Sequence, residues 1–178
     1  MAAVVGRHPL QVAQYLWQSD IGERIELGEV GGRELYRLFQ TELDYAGTYG
    51  RFRKLWCDHF DLDRGMASLL KRLARTHRVY LLSNTNALHY DFIRKNYAFA
   101  SQVRGAVLSY KLRLRKPDPR IYRAALRAAG ARPGQALLID DLDENVEAAR
   151  RVGMRAFLFK RLGPLLRELK ALGVLDAA

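Results

Sequence analysis

The stretch from Leu137 to Gly153 constrains this chain most: Leu-Leu-Ile-Asp-Asp-Leu-Asp-Glu-Asn-Val-Glu-Ala-Ala-Arg-Arg-Val-Gly. Ala136 to Ile139 is a short apolar run, as a strand buried in a parallel sheet would be. It stops at two adjacent acids, Asp140 and Asp141. Helical spacing begins at once, with Val146, Ala149 and Val152 on one apolar stripe. Acids at the carboxyl end of a buried strand stand where open α/β sheets place their ligands. Two carboxylates side by side repel each other unless a cation or a proton is shared between them. A hard divalent ion such as Mg²⁺, bound through carboxylates and water, fits that geometry. Asn145 adds an oxygen from the first turn of the helix. The competing reading is a plain helix start, its acids favoured by the macrodipole.

Upstream, the chain changes character once. Gly6-Arg7-His8-Pro9 ends a short apolar run at Met1 to Val5, and from Leu10 the spacing is helical, through Val12, Tyr15, Leu16 and Trp17. Glu34 to Leu43 is a second helix with Leu35, Leu38, Phe39 and Leu43 on one side. Phe52, Leu55, Trp56 and Phe60 form a third stripe, and Leu69, Leu70 and Leu73 a fourth within Met66 to Ala74. No strand is expected between residues 10 and 75, and Trp17 and Trp56 belong to the core of a helical bundle. From Arg78 onward strands and helices alternate. Val79 to Leu82 is a strand ending in Ser83-Asn84-Thr85-Asn86, with a helix through His89, Phe92 and Ile93. Ala106 to Leu108 is a strand ending at Ser109, and a basic loop through Lys116 leads to Asp118-Pro119, a helix start. The helix runs from Arg120 to Ala129 and stops at Gly130. A last strand, Ala156 to Phe159, precedes a helix at Leu165 to Leu172. The expectation is an α/β fold, a helical part over residues 1–77 and a Rossmann-like parallel sheet covered on both faces over 78–178.

Composition bounds the function. Cys57 is the only cysteine, so no intrachain disulfide forms, and a reducing, cytoplasmic compartment is expected. No apolar run is long enough to span a membrane, and no signal-peptide pattern opens the chain. The net charge of +11 is spread over nearly every segment. It is not gathered into a tail or interleaved with aromatics, which argues for an anionic small substrate over nucleic acid.

Three polar stations stand at strand ends or just beyond them: Ser83 with Asn84, Lys116, and the pair Asp140/Asp141. Parallel strands deliver such groups to one sheet edge. A hydroxyl with backbone amides, an ammonium and a carboxylate-bound cation stabilise charge on a transferring phosphoryl group. Singly, Ser83 is also a helix cap, Lys116 a solvated loop charge and Asn84 a turn former.

These motifs resemble those of the haloacid dehalogenase superfamily of hydrolases, most of them Mg²⁺-dependent phosphatases. Leu81-Leu-Ser-Asn-Thr-Asn86 is similar to its second motif, and Arg115-Lys-Pro-Asp-Pro-Arg-Ile-Tyr122 to its third. Ile139-Asp-Asp-Leu-Asp-Glu-Asn145 is similar to its fourth, in the double-aspartate form. Residues 1–77 resemble the helical cap inserted after the first strand, including Glu26-Leu-Gly-Glu29 before a helix. The subgroup most resembled is that of sugar-phosphate phosphatases and the phosphatase-like domain of soluble epoxide hydrolases. The resemblance implies that Ser83 and the Asn84 amide bind phosphate oxygens and that Lys116 neutralises nucleophile and phosphate. It implies that Asp141 is the principal Mg²⁺ ligand, with Asp140 and Asn145 in support. The implied substrate is a small phosphorylated metabolite; its identity and the oligomeric state are not legible.

The family's first motif, whose leading Asp attacks phosphorus from the central strand, has no counterpart here: residues 1–19 hold no acid. Met1 to Val5 is at most a remnant of that strand. Asp61-Leu62-Asp63 follows a helical stripe and no strand, so it reads as a loop and helix cap. The resemblance implies roughly 20–30 further residues upstream, whether through a late-assigned start, trimming or a naturally shortened relative. Two expectations follow: a phosphomonoester hydrolase in the intact family form, or a non-catalytic module that keeps the phosphate pocket for binding.

Overall fold

The structure is a computed structural model and describes Leu16 and residues 20–175. The possible strand at residues 1–5 and the helical stretch from Leu10, with Trp17, lie outside the described residues except for Leu16. In chain order come α1 (Ile21–Glu26), α2 (Gly32–Glu42), α3 (Tyr49–Cys57), α4 (Arg64–Leu73), β1 (Tyr80–Ser83) and α5 (Ala87–Asn96). Then follow β2 (Gly105–Leu108), α6 (Ser109–Leu112), α7 (Pro119–Ala129), β3 (Leu137–Asp140), α8 (Asp143–Arg151), β4 (Arg155–Leu158) and α9 (Leu162–Ala171).

Contacts divide the chain into two compact units. The first takes the chain up to Asp61, Asn84–Tyr97 and Leu108–Arg113. Its core is aromatic. Spacing of three to four residues puts Leu35 and Phe39 of α2, and Phe52 and Trp56 of α3, on buried faces. The Phe39 and Phe52 rings meet edge-on at 5.1 Å, and the Trp56 ring stacks at 5.3 Å on His89 of α5. Thr48 caps α3 by accepting from the Arg51 amide. Gly28 has φ +72°, and a Cβ there would lie 2.3 Å from the Tyr110 carbonyl oxygen, so only glycine fits this turn.

The second unit takes Leu62–Ser83, Ala98–Val107 and the chain from Leu114 onward. β3 and β4 pair in parallel, in the register Leu138↔Ala156 and Asp140↔Leu158, joined by α8 as a crossover helix. Side-chain alternation gives the pair two buried faces. Leu138 and Ala156 pack with Ile121 and Leu126 of α7 and with Val146 and Ala149 of α8. Leu137, Ile139 and Phe157 pack with Leu69 of α4 and with Leu165 and Leu169 of α9. This is the α/β core with both faces covered. Among the described residues β1 pairs with β2 and β3 with β4, as two separate sheets.

The expected cut after residue 77 falls inside the second unit. The stripe of α4 reads as helix–helix packing in either setting, and its partners Leu165 and Leu169 lie far along the chain. Two helices escaped sequence reading. α1 holds one apolar pair, Ile21 and Ile25, and α6 is a single turn, so neither is long enough to show a period. Ser109 consequently begins α6; it does not end a strand.

Candidate active site

Asp140, the last residue of β3, is buried, and each of its oxygens has a partner. Oδ2 accepts from Lys116 Nζ at 2.5 Å. Oδ1 accepts from Asn145 Nδ2 at 2.8 Å and from the Leu142 amide at 3.1 Å. Burial pushes the Asp140 carboxyl up; hydrogen bonds from Lys116, Asn145 and Leu142, with the Lys116 charge, outweigh it and hold the group below its ordinary value. The lysine and carboxylate side chains are only 11% and 3% exposed, so the pair lies in a medium where charge interactions are strong.

Local structure explains these positions. Lys116 lies on the loop that ends at Asp118, whose carboxylate accepts from the Arg120 amide at 2.8 Å and starts α7. Asn145 is in the first turn of α8. Its backbone oxygen accepts from the Tyr122 hydroxyl at 3.0 Å, and Tyr122 is fully buried in α7. Burial first, then the nearby Asp140 and Glu144 carboxylates, push the Tyr122 phenol well above its ordinary range. Tyr122 thus ties α7 to the helix that carries Asn145. It sits within the motif that holds Lys116, but nothing in sequence marked it beyond an aromatic on a buried stripe.

One polar atom of this cluster is orphaned: among the described residues, Asn145 Oδ1 is buried without a hydrogen-bond partner. A buried carbonyl oxygen lacking a donor is a vacant acceptor, of the hard-oxygen kind that a divalent cation accepts. Asp141 is exposed at the start of the following loop. Among the described residues no group of three or more His, Cys, Asp or Glu is arranged to hold a metal ion. The oxygen donors therefore fit a hard cation in type and not yet in number.

Of the residues singled out in the sequence, Lys116, Asp140 and Asn145 are joined in one network. Ser83 ends β1 and Asn84 opens the loop beyond it, both half-buried; the division between the two units falls between them. Asp63, set aside as a nucleophile, accepts from the Met66 amide at 2.9 Å and caps α4.

A family model for haloacid dehalogenase-like hydrolases matches residues 3–153. The chain belongs to that family. A phosphatase of Mycobacterium tuberculosis is 31% identical over 169 residues, which are 90% of this chain and 70% of that protein. A sesquiterpene phosphatase of Aspergillus oryzae is 27% identical, over 76% of this chain and 70% of its own length. A haloacid dehalogenase family enzyme from Bacteroides thetaiotaomicron, solved with magnesium and inorganic phosphate, superposes with a TM-score of 0.77 at 25% identity. That match covers 85% of this chain and 80% of the other. The α/β core and helical part of this hydrolase are thus those of its family.

Proposed function

We propose that this hydrolase acts on small phosphomonoesters with the help of Mg²⁺. The observation that carries the proposal is the buried Lys116–Asp140–Asn145 network at the end of β3, with its vacant Asn145 oxygen. Asp140, with both oxygens engaged, orients Lys116 and Asn145. Asp141 and Asn145 Oδ1 hold the cation, which when bound neutralises phosphoryl oxygens. Ser83 and the Asn84 amide donate to phosphate oxygens, and Lys116 supplies the fixed positive charge. The phosphatase relatives and the magnesium and phosphate in a neighbour's structure support this reading. The net charge of +11 favours an anionic substrate. The helical part serves as the cap that selects it, in a reducing, cytoplasmic setting.

Covalent phosphoryl transfer needs an attacking carboxylate, and residues 1–19 contain none. The reading therefore separates into two measurable steps. Inorganic phosphate binds in a Mg²⁺-dependent manner, and Asp141→Asn abolishes the Mg²⁺ effect; calorimetry without phosphate binding would refute the proposal. Hydrolysis of p-nitrophenyl phosphate tests the second step. Turnover lost in Asp141→Asn identifies an attacking acid within the chain, whereas binding without turnover assigns it to a phosphate-binding module.

A further inference from the structure

The loop that follows β1 runs through Asn84, Thr85 and Asn86, and the bonds that Thr85 and Asn86 make to Ser109 and His89 lie within the first unit. Ser109, the first residue of α6, is fully buried. Its Oγ accepts from the Thr85 amide at 2.9 Å and donates to the Thr85 carbonyl at 3.1 Å. One hydroxyl thus satisfies both backbone groups of a buried residue, the service that a neighbouring strand would give. The next residue is held as firmly. Asn86 Oδ1 accepts from the His89 amide at 3.1 Å and caps α5, while its Nδ2 donates to His89 Nδ1 at 3.0 Å. With Nδ1 accepting, the ring proton is on Nε2, which donates to the Trp56 carbonyl at 3.1 Å.

We propose that Ser109 is a positioning residue for phosphate recognition: it clamps the Thr85 backbone and so aims the Asn84 amide. The inference rests on the reading of Asn84 as a phosphate donor. Catalysis by backbone donors depends on their being fixed before the anion arrives. Asn84 has a single peptide unit between it and the clamped amide. Without the hydroxyl, two buried backbone groups lose their partner together, and the loop reorganises to reach water.

The test is calorimetric titration of inorganic phosphate with Mg²⁺ into the full chain, well below its melting temperature. Wild type is compared with Ser109→Ala and with Thr48→Ala, which removes a different hydroxyl in the same unit, at the cap of α3. The expected result is phosphate binding weakened about tenfold in Ser109→Ala, a fold-change typical of one lost buried hydrogen-bond partner, and unchanged in Thr48→Ala. Equal affinity of Ser109→Ala and wild type overturns the clamp and leaves the phosphate reading standing. Failure of wild type itself to bind overturns that reading, and this inference with it. Should Ser109→Ala not fold, amide hydrogen exchange on wild type decides. The Thr85 amide is expected to be protected like those of β1, and exchange at the rate of an open loop refutes the clamp.

Discussion

Adjacent carboxylates with opposite surroundings carry different duties. Asp140 is buried against Lys116, whereas Asp141 is exposed. Asp140→Asn removes the carboxylate charge that Lys116 bonds, and removing one partner of such a buried pair costs about 3 kcal/mol. Asp141→Asn removes no hydrogen bond or ion pair among the described residues and should change stability by less than about 0.5 kcal/mol. Urea unfolding followed by circular dichroism distinguishes the two, and equal effects would contradict this division of roles. The folded-state value of Asp140 is depressed, so its contribution is complete above the ordinary carboxylate range and is lost as pH falls through the folded value. Sequence made all three members of this network legible, because acid, amide and lysine stood at strand ends or helix starts. It did not reveal that Asp140 is saturated; that needs Lys116, remote along the chain, to arrive at Oδ2.

Elements bring the loops to their places, and His89 shows how. Burial drives the imidazole down to about 4 from an ordinary 6.5; its bond to the Trp56 carbonyl pulls upward, and the charge of His59, a smaller influence, pushes further down. The unfolded chain therefore takes up the proton first as pH falls. The contribution of His89 declines between pH 6.5 and about 4 and levels off below that. The decline is on the order of 3 kcal/mol, and His89→Gln should flatten it in urea titrations at several pH values. Glycines offer a second check. Gly28→Ala forces a Cβ against the Tyr110 carbonyl at a positive φ and should destabilise by about 2 kcal/mol. Gly50→Ala, in α3 with open space around it, should stabilise by about 0.5 kcal/mol. Thermal melts of both variants measure these shifts, and a neutral Gly28→Ala would disprove the steric account.

At the scale of the molecule, the chain does not divide where its character changes. Helical patterning ends near residue 77, yet α4 packs through Leu69 onto Leu165 and Leu169 of α9 in the α/β unit. A fragment starting at residue 78 keeps α9 but loses Leu69, Met66 and Leu73 of α4, which opens part of the face of Leu137, Ile139 and Phe157. Such a fragment should bind the dye ANS and melt without cooperativity, whereas one starting at Leu62 should bind less dye and melt more sharply. If the two behave alike, α4 contributes nothing to that face. The same long-range cover explains why the helices of residues 21–73 were legible as helices and not as members of a unit.

The sequence by itself determined the strand-and-helix alternation after residue 78, the caps at Asp118 and Gly130, and the motifs that carry Lys116 and the paired aspartates. These rest on side-chain periodicity and on backbone preferences that act over a few residues. Tertiary structure alone decided that Tyr122 supports Asn145, that Ser109 fastens Thr85, and that α4 covers the second face of the sheet. Each is a contact between residues at least 23 positions apart. No local pattern encodes such a pairing, because the partner is chosen by burial and by the need to satisfy a buried polar group.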